Sequence, residues 1–294
     1  ISTDTDGTRY YQFTVATENV ISITAMAHNY IDGICSDCGT NQHGELDGDY
    51  YEIANAEQLF LFAERVNNGE TTINGKLVAN IEVNENVLNA NGDLNGDGAG
   101  FRAWTPIWNY EGTFDGQGHT IRGLYFNNGE KGEVGLFSIL GSTGIVKNVG
   151  VIDSYFYTGS YSAGICGSNG GTVENCFNAA TCKACFHTTG GIVALNDGTV
   201  INCYNVGQLS TSDICGGVTG VNRGFISNCY YLEGKSDAGV SIRTGNERTF
   251  SKTAQQFASG EVAWLLNGND GGENATWRQT IGEDEYPVLD NTHG

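Results

Sequence analysis

The sequence predicts an all-β fold, a parallel β-helix of about five or more coils with short helical caps at both ends. The main observation is a segment of the form Gly-x-Val/Ile-x-Asn that begins at Gly144, Gly171, Gly198 and Gly224. The intervals are 171 − 144 = 27, 198 − 171 = 27 and 224 − 198 = 26 residues, and a degenerate copy begins at Gly118. A fixed period of about 20–50 residues is typical of proteins that stack structural repeats.

The second observation is the composition of each repeat. The repeats are rich in β-branched and aromatic residues, are punctuated by Gly and Asn, and show no helical periodicity. This combination predicts short strands joined by tight turns. A period near 27 is too short for a propeller blade, and no helix-forming half supports a leucine-rich or ankyrin repeat. Parallel strands that stack coil on coil at about 4.8 Å fit, and five coils form a core roughly 25 Å long.

The third observation is that residues one period apart share their chemistry, so we expect them to stack in columns. One inward column is apolar, at Val146, Val173, Val200 and Ile226, and a second inward column comprises Val149, Cys176, Cys203 and Cys229. Asparagine occupies two further columns, at Asn148, Asn175, Asn202 and Asn228 and at Asn169, Asn196 and Asn222. Asparagine tolerates left-handed turns, and stacked amides form hydrogen-bonded ladders. An unpaired buried amide costs about 1–3 kcal/mol, so the ladders should be nearly complete.

Charge and cysteine content restrict the function. The chain has 14 Lys and Arg against 34 Asp and Glu, a net charge of −20. This charge argues against nucleic acid and anionic membrane surfaces as partners. It suits a soluble extracellular protein, or one that binds cations, and solvated acidic loops also explain it. No apolar run approaches the roughly 18 residues of a membrane span, so we expect no membrane insertion. Stacked cysteines are poorly placed for disulfides, so we expect buried free thiols and, for a secreted protein, an anaerobic habitat.

Residues 1–27 alternate like two short strands. They are expected to be either the end of an upstream β module or an N-terminal hairpin of the same domain. Residues 28–48 form a Cys-x-x-Cys linker around Cys35 and Cys38. This spacing suits half of a zinc site, which His28 or His43 could complete, although a local disulfide or plain free thiols also fit.

Residues 49–111 are predicted to be an N-terminal helical cap and first coil. Asn55 is a favourable N-cap, Gln58 completes a capping box, and an apolar face precedes Gly69. Within this segment, Asp93, Asn95 and Asp97 alternate as in the first half of a calcium loop. Trp104 stands where such a loop needs Glu, so an acidic hairpin tip is the alternative.

Residues 112–240 hold the β-helix repeats, and residues 241–294 are predicted to be a C-terminal cap packed on the last coil. One repeat loop contains Cys182, Cys185 and His187, which could hold a metal together with Cys215 from the next turn. Incidental thiols are the alternative. Thr253 starts a second capping box, and 277–282 with 286–289 read as a final strand pair.

The chain resembles the GLUG-repeat surface proteins of gut and oral Gram-positive bacteria, which also occur beside immunoglobulin A peptidase domains. The matching segments are 56–59, 104–107 and 112–121, with repeat copies at 135–137, 163–167 and 216–220. The copy at 191–194 lacks the closing Gly. The resemblance covers about residues 28–290. It implies a right-handed β-helix and display on the cell surface of a Gram-positive-like bacterium, but no activity.

Two functions are consistent with these features of the sequence. The first is a non-catalytic extracellular surface or adhesion module within a larger multidomain protein. It would bind glycans or a host surface protein, with Tyr155, Tyr157 and Tyr161 as sugar-stacking candidates, although packing of a wide loop also explains these tyrosines. The alternative is a polysaccharide lyase or glycoside hydrolase, which needs paired carboxylates or a base with a cationic partner on one face. Its candidates are scattered over several coils, at Asp115, His119, Asp153, His187 and Asp213. We therefore assign no catalytic residue.

Overall fold

The computed structural model describes residues 46–130, 132–272, 275–290 and 292–293 in full. It also describes the backbone of N-terminal strands, which are Ser2–Thr3, Arg9–Ala16, Val20–Ala27, Tyr30–Ile31 and Ile34–Cys35. Arg9–Ala16 pairs antiparallel with Val20–Ala27, so the two strands expected in this region are present, and both interpretations of them stay predictions.

The described residues between 46 and 252 form a parallel β-helix of about seven turns, as the repeats predict. Each full coil passes through four sheets in turn. The first sheet contains Leu46–Asp47, Tyr50–Ile53, Asn74–Leu77, Thr113–Asp115, Ile145–Lys147, Thr172–Glu174, Thr199–Ile201 and Phe225–Ser227. The second contains Ile81–Glu82, Thr120–Arg122, Tyr125–Asn128, Gly150–Thr158, Phe177–Ala184, Tyr204–Asn205, Leu209–Thr211, Cys229–Leu232 and Thr249–Lys252. The third contains Glu133–Val134, Tyr161–Ser162, Thr188–Gly190 and Ile214–Gly216. The fourth contains Phe137–Leu140, Cys166–Asn169, Val193–Asn196, Thr219–Asn222 and Val240–Arg243.

The strand register confirms the two inward columns. Val146 pairs with Val173, and Val200 continues the column to the next rung, with all three side chains fully buried. The thiols of Cys176, Cys203 and Cys229 are also buried and form no disulfide. Burial raises the pKa of the Cys203 thiol, which therefore stays protonated and packs as a small apolar group.

Both asparagine columns are confirmed. The first occupies the turn between the first and second sheets with left-handed φ angles of 54°, 50°, 52° and 53° at Asn148, Asn175, Asn202 and Asn228. In the second column, the Asn169 amide donates to Asn196 at 2.7 Å and the Asn196 amide donates to Asn222 at 2.8 Å. A third buried ladder, in which Asn178 donates to Asn205 at 2.8 Å, was not predicted.

Helix α1, Ala56–Asn67, covers the N-terminal end of the core. Its apolar face is buried as predicted, and Phe62 packs edge-on against Tyr110 and tilted against Phe114. The Asn55 side chain accepts from the Gln58 N–H at 3.0 Å. The reciprocal bond differs from a capping box, because Gln58 accepts from the Ala54 N–H at 2.7 Å and not from Asn55. The exposed sheet end at this terminus is therefore closed by a helix.

The C-terminal region differs from the prediction. Residues 240–252 add a further coil, and the chain then forms α2, Ala254–Ala258, and α3, Glu261–Leu266. Instead of covering only the last coil, residues 254–272 and 275–289 pack along the outer face of the second sheet. The reason is an outward column of stacked rings on that face, which offers an apolar strip. The Trp277 ring lies 6.2 Å from Phe177 and 5.3 Å from Tyr204.

Two further details of this region bear on the prediction. The Thr253–Gln256 capping box is confirmed. The expected final strand pair is reduced to one antiparallel bridge between Arg278 and Val288. The last coil carries Arg243, Arg248 and Lys252, and charged side chains on an edge strand discourage pairing with another chain. Among the helices of the described residues, none has the length and apolarity to cross a bilayer.

Candidate functional site

The three tyrosines predicted to stack on sugars lie on the outside of the second and third sheets. Tyr155 and Tyr157 project outward from Gly150–Thr158, and Phe156 between them is fully buried, because alternate residues of a strand face opposite sides. Tyr161 belongs to the third sheet. The structure places Tyr157 and Tyr161 at the corner between these sheets but separates Tyr155 from solvent.

Tyr155 is only 7% exposed. Its ring stacks on Tyr125 at 6.3 Å, and the Lys183 ammonium lies 5.5 Å from the ring centroid. Lys183 also pairs with Asp93 at 3.5 Å, which holds the segment 86–98 against this face. Burial raises the pKa of Tyr155. This tyrosine therefore packs a loop, as the alternative interpretation stated, and is not available to a sugar.

Four side chains lie on neighbouring coils at this corner, and we name them together the aromatic corner: Tyr157, Tyr161, Phe186 and His187. Tyr157 and Tyr161 are half-buried, whereas Phe186 and His187 are exposed. The rings of Tyr161 and His187 are stacked, with centroids 6.2 Å apart and an interplanar angle of 15°. Phe186 is 67% exposed. The sequence pattern around Phe186 does not indicate a sugar site, and the pattern around His187 suggests only a metal ligand or a catalytic group. Phe186 and His187 lie about one period after Tyr157–Tyr161, and this spacing could have indicated that the four residues share one corner.

The backbone under the aromatic corner is held from both neighbouring coils. The N–H groups of Cys185 and Phe186 donate to carbonyls of the preceding coil at 2.9 and 3.1 Å. From the following coil, the Ser212 hydroxyl donates to the Cys185 carbonyl at 2.6 Å and the Thr211 hydroxyl donates to the His187 carbonyl at 3.0 Å. The aromatic rings are thus displayed by a fixed loop, which lowers the entropy lost when a ligand binds.

The chemistry of the aromatic corner suits stacking and hydrogen bonding. The hydrogen bond between the Tyr157 hydroxyl and the Cys185 thiol, 2.8 Å long, raises the pKa of Tyr157. The phenol therefore stays neutral at physiological pH. Aromatic rings with a polar handle combine an apolar face with a donor or acceptor. A large exposed ring such as Phe186 on an otherwise ordered surface is typical of an interaction site.

The thiol and imidazole groups of this loop do not come together as a metal site. Cys182 faces the core, where it is fully buried, whereas Cys185 faces outward to Tyr157. His187 stacks on Tyr161. Across the described residues, no group of three or more His, Cys, Asp or Glu side chains has the geometry of a metal site. The alternation of the strand separates the ligands that the sequence places two or three residues apart.

The segment with the calcium-loop pattern, residues 93–97, forms a turn that packs against the second sheet. The Asp93 carboxylate pairs with Lys183. The Asn95 amide donates to the Asn86 carbonyl at 3.0 Å, and Asp97 accepts from the Ala99 N–H at 3.0 Å. Each of the three side chains therefore has a structural partner, and a calcium role for this segment stays a prediction.

Most residues of the predicted zinc site lie outside the described residues. Cys35 lies in the strand Ile34–Cys35, which pairs antiparallel with Tyr30–Ile31. His28, Cys38 and His43 lie outside the described residues. A zinc site at Cys35 and Cys38 stays a prediction.

The side chains considered for catalysis are dispersed and have structural roles. Asp115 accepts from the Asn148 amide at 3.0 Å, and Asp153 pairs with Arg122 at 3.0 Å. His119 is half-buried near Asp290, and burial lowers its pKa. His187 belongs to the aromatic corner. No observation on the described residues favours a hydrolase or lyase, so the aromatic corner is the candidate functional site.

Comparisons with known proteins give partial similarities. No family model matches the chain. Over 71 residues it is 41% identical to halomucin of Haloquadratum walsbyi, covering 24% of this chain and 1% of halomucin. Over 79 residues it is 29% identical to a protein of Evansella cellulosilytica whose name describes it as a Gly-rich membrane protein, covering 24% of this chain and 9% of that protein. The chain thus matches only a small part of the length of these two relatives.

Proposed function

We propose that this chain is a non-catalytic binding module of a secreted or cell-surface protein and that the aromatic corner contacts glycans. The observation that carries the proposal is the exposure of Phe186, which precedes His187 of the stacked Tyr161–His187 pair on a loop fixed by both neighbouring coils. Stacked rings pack against the apolar faces of sugar rings, and the imidazole and phenol hydrogen-bond to hydroxyl groups.

The charge and the comparisons support this proposal. The net charge of −20 disfavours acidic polysaccharides, so the expected ligands are neutral glycans. The partial similarity to halomucin and to a protein named for membranes supports a location outside the cytoplasm. The resemblance to GLUG-repeat surface proteins agrees with the same location, and membership of that family is part of the proposal.

Binding of the full chain to an array of neutral and acidic glycans, and to mucin, tests the proposal. We expect neutral glycans to be retained. Phe186→Ser should weaken their binding by about 3- to 10-fold, because one aromatic contact contributes about 0.5–1.5 kcal/mol. The double variant Tyr161→Ala/Phe186→Ser should weaken binding further.

Trp108→Ser is the matched control, because Trp108 is also a half-exposed aromatic residue but lies outside the aromatic corner. It should bind like the parent protein. Absence of binding to every glycan and to mucin, or equal binding by the double variant, would contradict the proposal. Retention of a host protein alone would show that the module has a different ligand.

A further inference from the structure

The C-terminal segment, residues 254–272 and 275–289, and the first asparagine column form the two sides of a groove along the rod. The asparagine column precedes the strands of the second sheet, whereas the aromatic corner lies at the other end of these strands. Three cavities of about 350, 310 and 420 Å³ follow one another there. The column supplies one wall, with Asn148 in the first cavity, Asn175 and Asn202 in the second, and Asn228 in the third. Residues 265–270 and 275–278 supply the opposite wall. We name this feature the amide groove.

The amide column is hydrogen-bonded at every step but one. Asn148 donates to Asp115 at 3.0 Å, and Asn175 donates to Asn148 at 3.1 Å. At the far end, Asn228 donates to Asn202 at 2.9 Å and also to the Leu265 and Leu266 carbonyls at 3.0 and 3.2 Å, so the two walls of the groove are in contact at Asn228. Within the described residues, no hydrogen bond joins Asn202 to Asn175. The ladder is therefore interrupted in the middle of the groove.

The interruption leaves two complementary atoms on the wall of the middle cavity. The Asn175 carbonyl oxygen is an acceptor without a donor, and the Asn202 amide nitrogen has no acceptor, within the part of the chain that the structure describes. Both side chains are half-exposed. A hydroxyl group satisfies both at once, since it donates to one atom and accepts from the other. A purely cationic or purely anionic group satisfies only one of them.

The remaining lining defines the ligand further. The Asp270 carboxylate lines the middle cavity and repels anions there, whereas Arg278 lines the first cavity and Arg248 the third. In the third cavity, Phe250 is 47% exposed and stacks on the buried Tyr230 at 5.9 Å, so the Phe250 ring offers an apolar face. An uncharged chain with hydroxyl groups and apolar ring faces fits this lining. We propose that the amide groove is a second binding site, which takes a neutral glycan chain through a hydroxyl inserted between Asn175 and Asn202.

Titration of the full chain with cellohexaose and mannohexaose, monitored by the NMR signals of asparagine side-chain amides, tests this site. We expect saturable shifts of the Asn175 and Asn202 signals with at least one of the two. The Asn202→Gly variant should bind at least 10-fold more weakly, and glycine keeps the left-handed φ of 52° without strain. The acidic counterpart, a hexamer of galacturonate, should bind at least 10-fold more weakly than the neutral probe.

Asn109→Gly is the matched control, since Asn109 also has a left-handed φ of 54° but lies outside the groove. It should bind like the parent. Absence of shifts at Asn175 and Asn202 with both neutral probes, unchanged affinity of Asn202→Gly, or equal binding of the galacturonate hexamer would overturn the proposal. If Asn202→Gly does not fold, the presence or absence of shifts at Asn175 and Asn202 in the parent chain tests the proposal. Glycan-array binding lost in the aromatic-corner variants leaves these shifts intact, so the two sites are tested separately.

Discussion

Replacing Asn196 with alanine is expected to lower the free energy of unfolding by about 2–6 kcal/mol. Asn196 is fully buried in the middle of the second asparagine column, where it accepts from Asn169 at 2.7 Å and donates to Asn222 at 2.8 Å. Alanine removes both ladder bonds, after which the Asn169 amide keeps only the Thr199 carbonyl and the Asn222 oxygen keeps only the Gly224 N–H. Each partner lost by a buried polar group costs about 1–3 kcal/mol. Urea unfolding followed by circular dichroism measures the loss.

Asp197→Ala is the matched control for this prediction. Asp197 is the next residue, is exposed, and forms only a surface ion pair with Arg223 at 3.7 Å. Exposed ion pairs contribute about 0–1 kcal/mol, so this variant should unfold almost like the parent. If Asn196→Ala cost no more than Asp197→Ala, the buried ladder would not stabilise the fold.

The second large effect is expected for Trp277→Ala, which should detach the C-terminal segment from the side of the β-helix. Trp277 is 2% exposed and packs at an angle against Phe177 and Tyr204, whose rings stack directly on each other. Removal of a buried tryptophan costs about 3–5 kcal/mol. Because each coil is stabilised mainly by its neighbours, the loss should stay local. Limited proteolysis should cut residues 254–290 much faster, while the strand signal in circular dichroism persists.

Trp264→Ala provides the comparison, because Trp264 lies on α3 but is 49% exposed. Its substitution should change the cleavage rate little. Equal cleavage of the two variants would show that the segment is not anchored by Trp277. Detachment of the segment in Trp277→Ala would also remove the second wall of the amide groove, so this experiment also bears on the inferred glycan site.

The repeats could be predicted from the sequence because every coil has the same residue types at its buried positions and at its turns. The buried position of Val173 and the left-handed turn at Asn175 recur at each rung, so the period alone locates them. The third ladder follows the same rule, since 205 − 178 = 27, and attention to that spacing could have revealed Asn178 and Asn205.

The parts outside the repeats could not be predicted in this way. The C-terminal segment contains no periodic signal, so nothing in its residues indicated that it turns back along the second sheet. An indirect signal existed in Phe177, Tyr204 and Tyr230, which recur at intervals of 27 and 26 residues. Their rings form an outward apolar column, which indicates that another segment packs over it. The burial of Tyr155 depends on the segment 86–98, an insertion without a counterpart in later coils. The interruption between Asn175 and Asn202 also depends on side-chain geometry that two identical residues do not indicate.

The most direct test of the stacked-coil architecture is crystallography at a wavelength where sulfur scatters anomalously. Cys176, Cys203 and Cys229 belong to consecutive coils and face the same core. Stacked coils predict three sulfur peaks in a row along the rod, each about 4.8 Å from the next. Peaks for these three residues scattered through the molecule, without a common line, would contradict a parallel β-helix and every site built on it.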